Sequence, residues 1–402
     1  MGHIPLVVLC GFEAVQEALI NHSEDFVERP LGHFLKALAQ EKGIIFSNGH
    51  TWKQQRKFGL ATMRKLGLGK KGMEHQVEEE AHQLVETFAR AKGHSINGKE
   101  FKVSLFPNAL TIHVTDPLTT LPLYILFPRL MESLPGPHKK VLAYTETVRS
   151  FVKEEIQQHK EKHAVHDPQD FIDFYLFHME KQSTDEPNST YNEENLAQCI
   201  SDLFLAGTET TATALQWALL LMANHPDIQE KVQKEVEDTL GSSQSFSYQD
   251  RKRLPYTNAV IHEILRAYYV LFVGIPRKCM KDVNILGFLI PKGTHVIADF
   301  RSVLLDPKQW EKPQDFNPNH FLDQDGSFVE REAFLPFGAG ARVCLGELLA
   351  RIELFIFFTS LLRAFSFELP EGVKELNAKP IFGGTLHPHP YKLCAVPRCS
   401  TS

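Results

Sequence analysis

One cysteine ends a glycine-rich loop and directly precedes a helix-forming run, which is an arrangement that suits a thiolate. Residues 337–346 read Phe-Gly-Ala-Gly-Ala-Arg-Val-Cys-Leu-Gly, and the helix-forming run 347–351 follows. Backbone N–H groups and the positive end of that helix can point at the sulfur of Cys344, and Arg342 adds a cation two residues away. The alternative is a buried structural cysteine after a turn, which is the commoner role of a cysteine taken at random.

A second chemical motif is the run Ala-Gly-Thr-Glu-Thr-Thr at 206–211, in the middle of a helix predicted over 195–223. Its glycine and three threonines weaken helix propensity where a buried helix should be strongest. Threonine hydroxyls can bond to backbone carbonyls and open a local kink. Glu209 beside Thr210 can therefore relay protons to a bound ligand. The alternative is a polar patch at a contact between helices.

Two helical pairs also have a spacing that places both side chains on one face. Trp52 and Arg56 are four residues apart, and Glu263 and Arg266 are three apart on a helix after Pro255. On an exposed helix an ion pair of this kind contributes only about 0.2–0.5 kcal/mol. Around the first pair lies a basic patch without any acidic residue, which comprises Lys53, Arg56, Lys57, Arg64, Lys65, Lys70 and Lys71.

The composition excludes several classes of function. The 402 residues are 43% hydrophobic with a net charge of −6, which argues against general nucleic-acid binding. The six cysteines are scattered without a C-x-x-C pair, so neither a disulfide framework nor a zinc ribbon is expected. No run of about 18 uncharged apolar residues predicts a membrane span.

The elements that must position these residues are mostly helices. Apolar periodicity predicts a strand over 4–9, a helix over 12–21 and long helices over 141–164, 195–223 and 227–240. Strand-like pieces lie between 283 and 298, so the predicted fold class is mainly α with a minor β component. Nothing marks a boundary, and we expect one domain over 1–402. Four prolines interrupt the segment 101–134.

The spacing F-x-x-G-x-R-x-C-x-G resembles the haem-binding loop of the cytochromes P450. Five fixed positions in 402 residues match by chance with a probability of about one in ten thousand or less. The resemblance runs from about residue 4 to the C-terminus. The sequences of residues 134–138, 331–337 and 393–397 look like microsomal family 2, most like its subfamily J. It implies that Cys344 is the axial ligand of haem iron.

The resemblance also assigns roles to other residues. It implies that Glu209 and Thr210 deliver protons for oxygen activation and that Glu263 and Arg266 form a buried structural ion pair. The remaining assignments fall into two groups. Cofactor-binding residues are Arg29, Trp52, Arg56, Arg277, Phe337, Gly340, Arg342, Cys344 and Gly346, and candidates for the substrate pocket are Phe204, Leu205, Phe272 and Val273.

The implied function is that of a haem-thiolate monooxygenase that activates O2 and hydroxylates or epoxidises lipophilic substrates. Polyunsaturated fatty acids such as arachidonate, and xenobiotics, are the implied substrate classes. The cofactor is haem b, and electrons come from NADPH through a flavoprotein reductase that docks near the basic patch, with cytochrome b5 as a further donor. The implied location is the cytoplasmic face of the endoplasmic reticulum membrane.

The sequence departs from the family pattern in two main ways. The membrane anchor, the hinge and the first strand and helix of the family are not found in it, so a peripheral or cytoplasmic location is the alternative. The segment 101–134 is about half the usual length, which shortens the region from helix D to helix F. Both departures favour a second hypothesis, that the chain is a truncated haem-binding or inactive remnant without turnover.

Overall fold

The computed structural model describes residues 5–90, 95–97, 128–161, 168–182, 188–241 and 245–398. Within these ranges most of the chain is helical. The α-helices are α1 Phe12–Gln16, α2 His33–Ala39, α3 Gly49–Lys65, α4 Lys71–Arg90, α5 Pro128–Ser133, α6 Pro137–Glu161, α7 Phe171–Gln182, α8 Glu193–Asn224, α9 Pro226–Leu240, α10 Pro255–Ala267, α11 Phe300–Leu304 and α12 Glu347–Ala364.

The β component is small, so the predicted fold class is confirmed. The strands are β1 Leu6–Cys10, β2 Ser95–Asn97, β3 Arg277–Lys278, β4 Val283–Ile285, β5 Phe288–Ile290, β6 His295–Asp299, β7 Phe365–Glu368, β8 Pro380–Ile381, β9 His387–Pro388 and β10 Lys392–Pro397. One sheet has the order β1-β6-β3 with β1 parallel to β6, and another has the order β2-β10-β7. Two hairpins, β4-β5 and β8-β9, complete the strands of the described residues.

The long helix α8 is the centre of the larger core. Asn192 caps its first turn by accepting a hydrogen bond from the N–H of Asn195 at 2.9 Å. Its second half, from Thr211 to Ala223, is buried on all sides and packs with apolar residues of α4, α9, α10 and α12. A helix that is buried all round is mostly apolar on every side rather than amphipathic, and its few buried polar residues here are Thr211, Thr213 and Gln216. The core thereby fixes α8 against α12, which begins just after Cys344.

The smaller core joins the first sheet to the segment that precedes α12. Phe26, Trp310 and Phe321 are fully buried in it, together with strands β1, β4, β5 and β6. The predicted strand near the N-terminus is confirmed. The predicted helix over 12–21 is α-helical only to Gln16 and then widens into a π-helical turn, Glu17–Asn21. That turn contacts the cysteine loop.

Most of the segment 101–134 lies outside the described residues. The predicted shortening of the region from helix D to helix F falls on these residues and stays a prediction. The last part of the segment forms the short helix α5. Among the residues that the structure describes, no helix is both long enough and apolar enough to cross a membrane.

Candidate functional site

The cysteine loop is a tight turn that delivers Cys344 to the start of α12. Residues Gly340–Arg342 form a 3₁₀ turn, and the N–H of Cys344 donates to the carbonyl of Phe337 at 2.9 Å. Cys344 is exposed. Loss of hydration within the loop raises the pKa of its thiol, while the N–H groups of Gly346 and Glu347 and the charge of Arg56 act to lower it. The sulfur is therefore accessible and surrounded by donors.

The cation beside the sulfur is not the one that the sequence suggested. Arg342 turns away from Cys344 and donates to the carbonyls of Val27 at 2.8 Å, Ile44 at 3.1 Å and Ser47 at 2.7 Å. Three backbone carbonyls satisfy its planar fork better than a single sulfur would. Arg56 takes the place near the thiol, because its Nη2 donates to the carbonyl of Val343 at 2.7 Å.

Four arginines from distant parts of the chain form a cluster, in which Arg29, Arg277 and Arg342 are buried and Arg56 is half-buried. Burial lowers the pKa of Arg29 well below its ordinary value, and repulsion from Arg342, Arg277 and Arg56 lowers it further. Burial and the neighbouring cations also bring the pKa of Arg277 to about 10 and that of Arg342 to about 9. No carboxylate of the described chain lies within ion-pair distance of any of the four. Buried like charges require an anion from elsewhere.

Two buried donors of this cluster have no hydrogen-bond partner within the described chain: the indole Nε1 of Trp52 and Nη1 of Arg277. The Trp52 ring lies against the guanidinium of Arg342, with 4.0 Å from Cζ to the ring centroid. Unsatisfied buried donors are rare in proteins and indicate a missing acceptor. The four cations and these two donors together fit a ligand that carries carboxylates.

The segment 43–48 connects this cluster to α8 through a buried carboxylate. Asp202 accepts from the N–H groups of Ile44 and Ile45 at 2.7 and 2.9 Å, and from Gln198 at 2.9 Å. The carbonyls of the same two isoleucines accept from Arg342 and Arg29, at 3.1 and 3.2 Å. Burial raises the pKa of Asp202 to about 6 despite these donors. Asp202 therefore orders the strip of backbone on which two of the arginines rest.

This raised pKa predicts a pH dependence of stability that Asp202→Asn removes. The folded protein binds the Asp202 proton more tightly than the unfolded chain, so the stabilising contribution of the protonated form is lost as the pH rises through about 4 to 6. We expect the free energy of unfolding of the wild type, relative to the variant, to fall by about 1–1.5 kcal/mol between about pH 5 and pH 7.5. Urea titrations of both proteins measure it, and a difference that does not change with pH would contradict it.

The middle of α8 carries the predicted proton-relay residues. The hydroxyl of Thr210 donates to the carbonyl of Ala206 at 2.6 Å, as expected for a threonine inside a helix, yet the helix stays α-helical through this point. Glu209 Oε1 accepts from Thr385 Oγ1 at 3.3 Å, so the two side chains use different partners. Thr211 Oγ1 donates to Glu353 Oε2 at 3.1 Å, and burial raises the pKa of Glu353 to about 7.

The predicted pocket residues are not part of the core. Phe204 is 64% exposed, and Leu205 and Phe272 are also exposed, while Val273 is half-buried. Phe272 packs edge-on against Phe382, with ring centroids 5.0 Å apart. Large apolar side chains in such positions are available to an apolar ligand. Sequence patterns gave no signal for Phe382, because it lies in an irregular tail far from the motifs.

Glu263 and Arg266 form a completely buried ion pair. Both side chains are inaccessible, and Nε of Arg266 donates to Glu263 Oε2 at 2.7 Å while Nη2 donates to Oε1 at 2.6 Å. Nη1 of Arg266 reaches the carbonyls of Leu304 and Pro313. The N–H of Asn317 donates to Glu263 Oε1 at 2.8 Å. The pair thus holds together α10, α11 and the segment before the cysteine loop.

A family model described as Cytochrome P450 matches residues 1–115 and 111–395 of the chain. The chain belongs to the cytochrome P450 family. Human cytochrome P450 2J2 is 39% identical over 423 residues, which cover 99% of this chain and 84% of the relative. Cytochrome P450 2C39 of Mus musculus is 40% identical and cytochrome P450 2K4 of Oncorhynchus mykiss 41%, each over 99% of this chain and over 86% and 84% of the relative. The relatives are family 2 members, including members of subfamily J, as the sequence predicted.

The P450 family uses haem b and receives NADPH-derived electrons from a reductase. The residues of this P450 fit that group. A haem carries two propionates, and the arginine cluster with the free donors of Trp52 and Arg277 supplies buried positive charge without a protein counter-ion. Cys344 supplies an accessible sulfur with N–H donors around it, as a haem-thiolate ligand requires.

The basic patch of this P450 is mostly exposed. Of its seven members only Arg56 turns inward, toward Val343, whereas the other six side chains are exposed on α3, at the start of α4 and in the turn between them. Four of the exposed cations, Lys53, Lys57, Arg64 and Lys65, lie on α3, the helix that also carries Trp52 and Arg56. Charge of one sign at such a place can steer an acidic partner.

Sequence reasoning missed Asp202, Thr385 and Glu353. Each makes its contact with a residue more than 140 positions away, so no local spacing predicts it. The available signal was a charged or polar residue within otherwise apolar helical sequence, as at Asp202 and Glu353. Such a residue has to find a partner once it is buried.

Proposed function

We propose that this P450 is a microsomal monooxygenase that hydroxylates or epoxidises lipophilic substrates, with polyunsaturated fatty acids such as arachidonate and xenobiotics as its substrate classes. A haem monooxygenase in general follows from the family. The observation that supports it best is the cluster of four arginines, three of them buried, without a carboxylate partner beside an accessible cysteine. The exposed Phe204, Leu205 and Phe272 support a lipophilic substrate.

In this proposal the haem, when bound, supplies the activation of O2. Cys344 holds the iron through its sulfur, and the N–H groups of Gly346 and Glu347 bond to that sulfur and moderate the electron density it donates. Arg29, Arg277 and Arg342, with Trp52 and Arg56, hold the propionates and fix the orientation of the ring. Phe337 and Gly340 shape the loop.

Glu209 and Thr210 move the protons. The Thr210 hydroxyl donates a hydrogen bond to the Ala206 carbonyl, so its oxygen accepts a hydrogen bond from a water and orients that water as a proton carrier. Glu209 is the nearby carboxyl that takes protons up and hands them on. The apolar side chains of Phe204, Leu205, Phe272 and Val273 bind the substrate and exclude water from its reacting carbon.

The partners of this proposal follow from charge. A flavoprotein reductase docks with an acidic surface on the basic patch of α3, and cytochrome b5 competes for the same patch. We place the protein at the cytoplasmic face of the endoplasmic reticulum, as a single haem domain over residues 1–402. Support comes from the family 2 relatives and from the six exposed cations of the patch.

The Soret band of the reduced protein with carbon monoxide tests the function. A thiolate-ligated haem gives a strongly red-shifted band, and we expect Cys344→Ser to abolish it because a neutral hydroxyl is a far weaker donor to iron. Cys10→Ser, which changes an exposed cysteine on β1, is the matched control and is expected to keep the band. A protein that takes up no haem would refute the monooxygenase. A normal band without NADPH-driven oxidation of any fatty acid or drug would favour the inactive remnant.

A further inference from the structure

The loop between β8 and β9 meets α8 at a short chain of hydroxyl groups. Thr385 lies in this loop and is 5% exposed, and Thr213, one turn after Glu209 on α8, is fully buried. Thr385 Oγ1 lies 3.3 Å from Glu209 Oε1 and 3.2 Å from Thr213 Oγ1. Because residues four apart on a helix share a face, Glu209 and Thr213 both form a hydrogen bond with the Thr385 hydroxyl from the same side.

The direction of these hydrogen bonds follows from the donors present. The carboxyl oxygen Oε1 of Glu209 is an acceptor, and the hydroxyl of Thr385 donates to it. A hydroxyl has a single proton, and Thr213 must therefore donate to Thr385. The result is a directed chain, Thr213 to Thr385 to Glu209, in which each donation polarises the next.

The backbone directly after Thr385 is held by two hydrogen bonds of Leu386. The N–H of Leu386 donates to the carbonyl of Val270 at 2.7 Å, and the indole of Trp217 donates to the carbonyl of Leu386 at 2.8 Å. Trp217 lies on α8, one turn after Thr213, and is buried. The loop therefore cannot shift its hydroxyl without breaking contacts to α8 and to the segment after α10.

We propose that Thr385 and Thr213 are positioning residues, which hold the Glu209 carboxylate in one orientation and so direct the protons it delivers. The inference rests on the proposed role of Glu209 in the monooxygenase. Coupled turnover converts substrate, O2, NADPH and H⁺ into oxygenated product, water and NADP⁺. When the protons are misdirected, the same NADPH, H⁺ and O2 yield hydrogen peroxide and NADP⁺, and the substrate is unchanged. A misplaced Glu209 therefore raises the peroxide formed per NADPH.

The first test is a double-mutant cycle on unfolding of the haem-loaded protein, with Thr385→Val and Glu209→Ala. We expect the effect of the double variant on the unfolding equilibrium constant to be smaller than the product of the two single effects. The difference should be a factor of about three or more. Thr359→Val with Glu209→Ala is the matched control, since Thr359 is a buried threonine of α12 whose hydroxyl bonds to nothing in the described chain. For this control pair we expect the effect of the double variant on the unfolding equilibrium constant to equal the product of the two single effects. Equal behaviour of the two cycles would overturn the proposal.

The second test is the ratio of peroxide to NADPH consumed, with reductase and a fatty acid. We expect Thr385→Val to raise it by about threefold or more with the carbon monoxide band unchanged, and Thr385→Ser, which keeps the hydroxyl, to restore it. An unchanged ratio in Thr385→Val would refute the positioning role. If the wild type itself does not turn over, the proposed function fails, whereas the unfolding cycle still decides whether Thr385 positions Glu209.

Discussion

Replacing Arg266 with alanine is expected to prevent the protein from accumulating in a folded form. The guanidinium is inaccessible and makes two hydrogen bonds to Glu263, at 2.7 and 2.6 Å, together with bonds to the carbonyls of Leu304, Pro313 and Asp315. Its removal leaves a buried carboxylate without its cation, which costs about 3–5 kcal/mol. A domain has a total stability of only about 5–15 kcal/mol. Soluble yield and urea unfolding measure the effect.

An exposed ion pair of the same type is the control for this variant. Arg253 donates to Asp250 at 3.2 Å, and its side chain is 61% exposed. Because water screens such a pair, we expect Arg253→Ala to cost at most about 1 kcal/mol. Arg266→Lys should also be strongly destabilising, since an ammonium cannot reach both carboxylate oxygens and the carbonyls at once. An Arg266→Ala protein as stable as Arg253→Ala would contradict the structural role.

Gly340→Ala is expected to abolish haem binding. The φ angle of Gly340 is +71°, and a Cβ there would overlap the carbonyl oxygen of Leu19 and lie 2.8 Å from Ser23 Oγ. Ser23 Oγ accepts from the N–H of Ala341 at 2.7 Å, so the loop is also tied to the 3₁₀ turn Ser23–Phe26 that follows the π-helical turn. Backbone on both sides must move, which we expect to cost about 3 kcal/mol or more. The carbon monoxide band and thermal unfolding of the purified variant measure both effects.

Alanine variants of two other glycines of the same loop distinguish the effect of backbone strain from that of steric overlap. Gly338 has φ +81°, but a Cβ there would meet Phe300 only at 3.5 Å, so Gly338→Ala adds backbone strain alone, about 1–2 kcal/mol. Gly346 has φ −88° and nothing within 4 Å of an added Cβ, so Gly346→Ala should be nearly neutral. We expect the free energy of unfolding to be highest for Gly346→Ala, lower for Gly338→Ala and lowest for Gly340→Ala. Equal stability of all three variants would contradict the overlap with Leu19.

The sequence predicted the family, the fold class and the positions of the long helices, because periodicity and a five-position fingerprint are local properties. It did not predict the direction of long side chains. Arg342 was expected beside the sulfur, two residues away, but three carbonyls of distant segments bind it instead. Asp202 and Thr385 act on residues that folding alone brings near. Phe204 was equally compatible with core or pocket until its exposure was known.

The cluster of four arginines has a consequence for the life of the protein in a cell. Clustered cations without an ion-pair partner in the described chain favour unfolding, and a dianion that binds only the folded chain reverses this preference by mass action. The amount of this protein should therefore follow the supply of haem rather than its rate of synthesis. Chains made during haem scarcity would open more often, become substrates for quality-control proteases, and disappear before their catalytic residues were ever used.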